Sequence, residues 1–258
     1  MKKDNWTKKQ EIEFKEVIKT FFDEKIIAAL KTGIDPIKIG DKLSSILKDS
    51  DEDVVRIITP RAIKKWASSE TLPKWEKIIE DQTMVTELRM IGKSIANTMR
   101  PLAGNNFTLW VATLLNVYFD RNKIPIKAIT SGSIKKEINK SFVVKSENGI
   151  GTKDYKPDID IILVKTNSNE PVAIISAKTT LAERVMQTIS WSRFLKNVSQ
   201  KYNHLKIFLV TAWDTFESGT NRERVQELDG VYVCNEKVKE YGNIKLFSRI
   251  VDDIKELL

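Results

Sequence analysis

Apolar residues recur at spacings of three and four through EIEFKEVIKTFFDEKIIAALK, PIKIGDKLSSILK and TMVTELRMIGKSIANTM. The stretch from Lys8 to about Ala103 therefore predicts five or six helices, each turning one apolar stripe toward a core. Asp35-Pro36 and Thr59-Pro60 have the form of a capping side chain followed by proline at the first helical position, and Gly33 is a suitable helix stop. A break is expected from Pro101 to Gly104, followed by one strongly apolar helix in NFTLWVATLLNVYF.

Beyond that helix the period changes. Short β-rich runs, KIPIKAIT, SFVVKS, DIDIILVKT, PVAIISAKT, KIFLVTAW and GVYVCN, alternate with Gly, Asn, Ser and Asp and predict strands. Between two of them LAERVMQTISWSRFLKNVSQKY has helical spacing, and LFSRIVDDIKELL closes the sequence as an amphipathic helix. The stretch from Ser146 to Tyr155 reads as a loop. The order predicts an α/β core, a central mixed sheet flanked by helices, over residues 101–258, preceded by an all-helical N-terminal domain over residues 1–100.

Composition changes this picture little. With 41% hydrophobic and 30% charged residues the chain can bury a core under a solvated surface, which excludes disorder as the default. No apolar run reaches the roughly 18 residues a membrane span needs, and MKKDNWTKKQEIEF lacks the apolar stretch of a signal peptide, so a cytoplasmic protein with no membrane partner is expected. One cysteine, Cys234, and one histidine, His204, cannot supply a zinc site or an internal disulfide, and both read as structural. Lys and Arg number 43 against 35 Asp and Glu, a net +8 that permits a polyanionic partner without requiring one.

The chemistry concentrates in two runs. In KPDIDIILVK, Asp158 and Asp160 stand two apart on a predicted strand, so both carboxylates emerge on one face, and such a pair resists burial unless a cation holds it. Asp158 could equally cap the strand entrance after Pro157. In PVAIISAK an apolar run ends in Lys178, which shares a face with Ser176. If the two strands are neighbours, the ammonium approaches the aspartates and can steady an attacking water and the charge developing on a phosphate. A structural lysine at a strand end is the plain alternative.

PDID, followed twenty residues after Asp158 by Lys178 in SAK, resembles the PD-(D/E)xK nuclease superfamily. The resemblance implies catalytic roles for Asp158, Asp160, Ser176 and Lys178, and an Mg2+ held by Asp158, Asp160 and the carbonyl of Ala177. SAKTTLAERVMQ is similar to the corresponding segment of type II restriction enzymes that cut CCGG or CCNGG-like sites. That implies sequence-specific hydrolysis of double-stranded DNA leaving a 5′ phosphate, a homodimer, and a methyltransferase encoded nearby. It assigns base contacts to Glu183 and Arg184, flanked by Thr180 and Gln187, since arginine can grip guanine and a carboxylate can accept from cytosine. Glu183 and Arg184 could also be a solvated first-turn pair. Ser176 replaces the usual acid of the motif, ISWSR offers no carboxylate on the following helix, and Thr108 stands where the preceding helix often has glutamate. Asp160, or more weakly Glu87, would then supply the second acid.

The first hundred residues lie outside the resemblance. Within them, IGDKLSSILKDSDEDVVRIITPRAIKKWASSETLPKW is similar to a helix-turn-helix with TPRAIKKWA as its second helix, which would point Arg61, Lys64 and Lys65 at a phosphate backbone. A solvated amphipathic face is the alternative there. Two other functions stay open: a repair or recombination nuclease of the same superfamily, and a DNA-binding regulator carrying a degenerate nuclease domain.

Overall fold

Thr7 and Gln10 start the first helix reciprocally: the Gln10 amide donates to Thr7 Oγ1 at 3.2 Å and the Thr7 amide to Gln10 Oε1 at 3.0 Å, which satisfies two amides that have no partner within the helix. The computed structural model describes residues 7–66, 81–131, 136, 159–179, 184–198, 203–213, 216 and 219–258. SFVVKS, the loop 146–155 and residues Asp158, Thr180 and Glu183 lie outside the described residues. Two compact units divide the chain, Met1–Ala29 with Ser45–Asn106, and Leu30–Ser44 with Phe107–Leu258.

The first unit is built on α1 (Lys8–Lys31), α3 (Leu43–Trp66) and α4 (Gln82–Arg121), the last contributing its residues up to Asn106. Helix α1 buries Phe14, Ile18, Phe22 and Ile26, a stripe with a step of four. Helix α3 buries Val54, Ile58 and Ala62, and Ala62 packs with Ile91 of α4 in a small cluster.

Both proline expectations beyond Asp35-Pro36 need correction. Pro60 lies inside α3 and Pro101 inside α4, so neither Thr59-Pro60 nor Pro101 to Gly104 marks a helix boundary. Each proline removes one rung at a cost of about 3 kcal/mol. Buried residues on both sides of Pro60, Ile58 and Ala62, outweigh that cost, and the Thr59 hydroxyl donates to the Val55 carbonyl at 2.7 Å within the unbroken helix. Because Leu43–Trp66 is one helix, TPRAIKKWA is no separate second helix and the helix-turn-helix reading falls. Likewise the two helices predicted around Pro101 form one helix of 40 residues.

The second unit is an α/β layer. Strands β1 (Ile126–Ile129), β2 (Ile161–Lys165), β3 (Pro171–Lys178), β4 (Lys206–Thr211), β5 (Gly230–Val233) and β6 (Ile244–Leu246) lie in one sheet in that order. The pairs β1–β2 and β2–β3 are antiparallel and the remaining three are parallel, so the sheet is mixed, as the pattern predicts. Strands β2, β3 and β4 are buried on both faces, which explains their continuous apolar runs. One face carries Ile162, Val164, Ile174, Ile207, Leu209, Val231 and Val233, covered by Val185, Ile189 and Leu195 of α5 (Arg184–Val198). At the β1 edge the Asn116 side chain on α4 donates to the Ala128 carbonyl at 3.0 Å and accepts from the Ala128 amide at 2.8 Å.

Helix α2 (Pro36–Gly40) belongs to this unit although it lies far upstream in sequence. Asp35 caps it, accepting from the Ile37 amide at 3.0 Å, and Pro36 stands at the first helical position, as the sequence predicts. Asp41, buried with its carboxyl pushed above the usual range by that burial, accepts from the Ser248 amide at 2.7 Å. The Ser44 amide donates to the Cys234 carbonyl at 3.0 Å. Gly40 lies against the buried Phe247 ring so closely that an added Cβ would stand 1.9 Å from Phe247 Cδ1. Gly40→Ala should therefore force the ring or the helix aside and cost roughly 1–3 kcal/mol, read as a lowered midpoint in thermal denaturation. An unchanged midpoint would mean that α2 is not held against Phe247.

The chain continues through the short α6 (Thr220–Arg224) and ends in α7 (Ile250–Lys255). Neither α6 nor β6 follows from the sequence pattern, because elements of five and three residues are shorter than any period can mark. No helix among the described residues is long and apolar enough to cross a membrane.

Candidate active site

The register of β2 on β3 runs from Val164 opposite Pro171 to Ile161 opposite Ile175, and there the antiparallel ladder stops. Strand β3 continues for three more residues, Ser176, Ala177 and Lys178, still paired on its other side with β4. Where β2 is missing, the side chain of Asp160 takes its place: Asp160 Oδ2 accepts from the Ala177 amide at 2.8 Å. The same oxygen accepts from Lys178 Nζ at 2.8 Å. The carboxylate therefore stands at the fork between two central strands with the ammonium beside it, their side chains 19% and 12% exposed. Charges this deep are costly to separate but still reachable from solvent.

Strand β2 begins at Ile161, so Asp160 immediately precedes the strand instead of lying on it. Ile159 correspondingly joins the core cluster of Ile162 and Ile174, whereas strict alternation predicts the opposite face. Asp158 lies outside the described residues.

Ser176 and Lys178 both line a small cavity of about 20 Å³ with Ile159, Gln187, Thr188 and Trp191, so they share one face of β3. Ser176 is buried and its hydroxyl accepts from Thr188 Oγ1 of α5 at 3.3 Å. A neutral hydroxyl pair thus occupies the place where the family pattern would have an acid. Gln187 is exposed on α5 beside the cavity. Arg184 opens α5, and its side chain lies outside the described positions.

The oxygens at the fork suit a hard divalent cation. Ala177 directs its amide at Asp160, and since a strand residue points its N–H and C=O the same way, its carbonyl also faces the gap left by β2. A carboxylate and a carbonyl are the donors such an ion prefers, and magnesium in particular binds through one or two carboxylates together with substrate phosphates. Among the described residues no cluster of three His, Cys, Asp or Glu exists. Cys234 is fully buried, and that burial pushes its thiol well above the usual range, which removes it as a nucleophile at neutral pH.

Of the basic residues read from the first unit, Arg61 is engaged by side chains of that unit. Its guanidinium donates to Glu11 Oε2 through Nε at 2.9 Å and Nη2 at 2.7 Å, reaches Thr98 at 3.4 Å, and lies 5.0 Å from the Phe14 ring centroid. It ties α1, α3 and α4 together and lines the groove that Lys65 also borders. Nothing in the local sequence announces Glu11 fifty residues upstream. Lys64 is exposed, and Lys65 lines a groove of about 300 Å³ with Lys93, Ser94, Asn97 and Thr98. Glu87 lies on α4 within the first unit, and Thr108 on the part of α4 that belongs to the second.

Comparison with known proteins agrees with this architecture. The family model described as BsaWI restriction endonuclease type 2 matches residues 134–253. A Methanocaldococcus jannaschii protein named as the type II restriction enzyme MjaVIP is 32% identical over 145 residues, 51% of this chain. The match spans 62% of that relative's length. The solved complex of restriction endonuclease PspGI with substrate DNA superposes with a TM-score of 0.52 at 17% identity, covering 95% of this chain and 92% of that one. The chain therefore has the restriction-endonuclease fold, and over residues 134–253 it aligns with the BsaWI family of type II restriction endonucleases.

Proposed function

We propose that this protein is a type II restriction endonuclease that hydrolyses double-stranded DNA at a specific site with Mg2+ as cofactor, leaving a 5′ phosphate. The observation that carries the reading is the fork itself, with Lys178 Nζ 2.8 Å from Asp160 Oδ2 where β2 and β3 part. Asp160, the Ala177 carbonyl and Asp158 would hold the cation. When bound, it supplies an acidified water and neutralises charge on the phosphate.

The chain's own residues do the rest. Lys178 donates toward the attacking water and the phosphate oxygens, a role its short reach from the strand end supports. Ser176 and Thr188 fix the floor beneath it through their mutual hydrogen bond. Thr180 and Glu183, which precede α5 in sequence, and Arg184 and Gln187, within it, read bases in the major groove, with Arg184 on guanine and Glu183 on cytosine. Lys64, together with Arg61, Lys65 and Lys93 along one groove, faces the phosphate backbone. A palindromic site read by a homodimer, with a methyltransferase encoded nearby to protect the host, completes the proposal.

The experiment is direct. Purified protein incubated with Mg2+ and unmethylated phage DNA should yield discrete fragments carrying 5′ phosphates, and omission of the cation should stop cleavage. A smear, cutting confined to branched substrates, or binding without cutting would overturn the restriction reading.

A further inference from the structure

Two sets of contacts fix the direction of α5 along the sheet. Near its start, the Thr188 hydroxyl donates to Ser176 of β3, and Gln187 lines the cavity that Lys178 also borders, so this half of the helix stands at the strand end that carries Lys178. Near its other end, Lys196 pairs with Asp229 at 3.0 Å, and Asp229 Oδ2 accepts from the amide of Ile207 close to the start of β4. The helix therefore runs antiparallel to β3 and β4. Buried Val185, Thr188, Ile189, Ser192 and Leu195 mark its inward face. A step of about 100° per residue then turns Met186, Gln187, Ser190 and Arg193 outward, and all four are exposed. Arg193 is taken up by Glu227, to which its Nε and Nη2 both donate at 2.8 Å. The half of the outward face nearest Lys178 carries Gln187, Ser190 and Met186, the last an apolar side chain 42% exposed.

We infer that Met186 is a specificity-determining residue whose thioether packs on the C5-methyl group of a thymine in the recognition sequence. The inference rests on the proposed nuclease reading, which puts Arg184 and Gln187 of the same helix on base edges, so Met186 continues that surface. A guanidinium and an amide recognise bases through hydrogen bonds and gain nothing from a methyl group. In the major groove a T·A pair differs from the other pairs by that methyl as well as by its donors and acceptors, and an apolar side chain is its complement. Methionine suits the task because it is unbranched and polarizable and can follow the contour of a base edge. The net charge of +8 favours a duplex as the occupant of this face.

The test first maps the recognition sequence from the fragments that the wild-type protein produces, then replaces each thymine in it by uracil, which removes the methyl group and leaves every hydrogen-bonding group in place. The wild type should cut the uracil substrate about fourfold more slowly in kcat/KM, the worth of burying one carbon. Met186→Ala should cut the thymine substrate about fourfold more slowly and lose nothing further on uracil, with an unchanged thermal midpoint. Met186→Leu should keep the preference for thymine. A recognition sequence without a T·A pair, equal wild-type rates on the two substrates, or a Met186→Ala protein that still prefers thymine fourfold would overturn the assignment. So would equal losses on both substrates accompanied by a sedimentation shift from dimer to monomer, which would give the side chain to a second copy of the chain. A wild-type protein that cuts no DNA would instead remove the nuclease reading beneath it.

Discussion

Lys178→Ala is expected to bind duplex DNA and to cut it slower by roughly a thousandfold, the scale of losing one preorganised charged donor from a phosphate-cleaving site. The physical reason is position. Lys178 ends a strand buried on both faces and its side chain is only 12% exposed, so a neighbouring surface lysine cannot substitute for it. Binding should survive, because the groups proposed to grip the backbone and the bases lie elsewhere. The thermal midpoint should fall somewhat, since Asp160 would lose the ammonium now 2.8 Å from its Oδ2. Normal single-turnover cleavage by this variant would remove Lys178 from the mechanism; loss of binding and folding together would show a structural lysine.

The second large effect is expected from Asp160→Asn, chosen over alanine because the amide oxygen can still accept from the Ala177 N–H and so preserve the end of the sheet. What the substitution removes is charge. Cation affinity and cleavage should both fall, cleavage on the order of a hundredfold or more, with raised Mg2+ restoring part of the rate. Calorimetric titration alongside cleavage assays separates the contributions. If Asp160→Asn cuts normally while Asp158→Ala does not, the cation belongs to Asp158, and Asp160 is a strand-end fastener for Lys178.

Much of this was legible from residue pattern. The apolar runs PVAIISAK and KIFLVTAW mark β3 and β4 because strands buried on both faces leave no alternation to confuse them. The pairing of a PD-type carboxylate with a strand-end lysine singles out Asp158 and Lys178, with Asp160 as a substitute second acid; the structure sets Asp160 beside Lys178, and Asp158 lies outside the described residues. Pro60 and Pro101 misled, because local punctuation says nothing of the burial that holds a helix together on either side. The partner of Arg61 was hidden for a similar reason: its carboxylate, Glu11, lies fifty residues away, and only the fold brings the two together.

Asn116 has a consequence beyond packing. By occupying both outward hydrogen-bonding groups of Ala128, its amide acts as a one-residue stand-in for a further strand, and the rim of the sheet at β1 is closed to recruitment of another chain there. The opposite rim, β6, is only three residues long and makes a poor template. Among the described residues both rims of the sheet are therefore poor templates for strand addition, which favours contacts between copies through side-chain surfaces and works against fibrous aggregation.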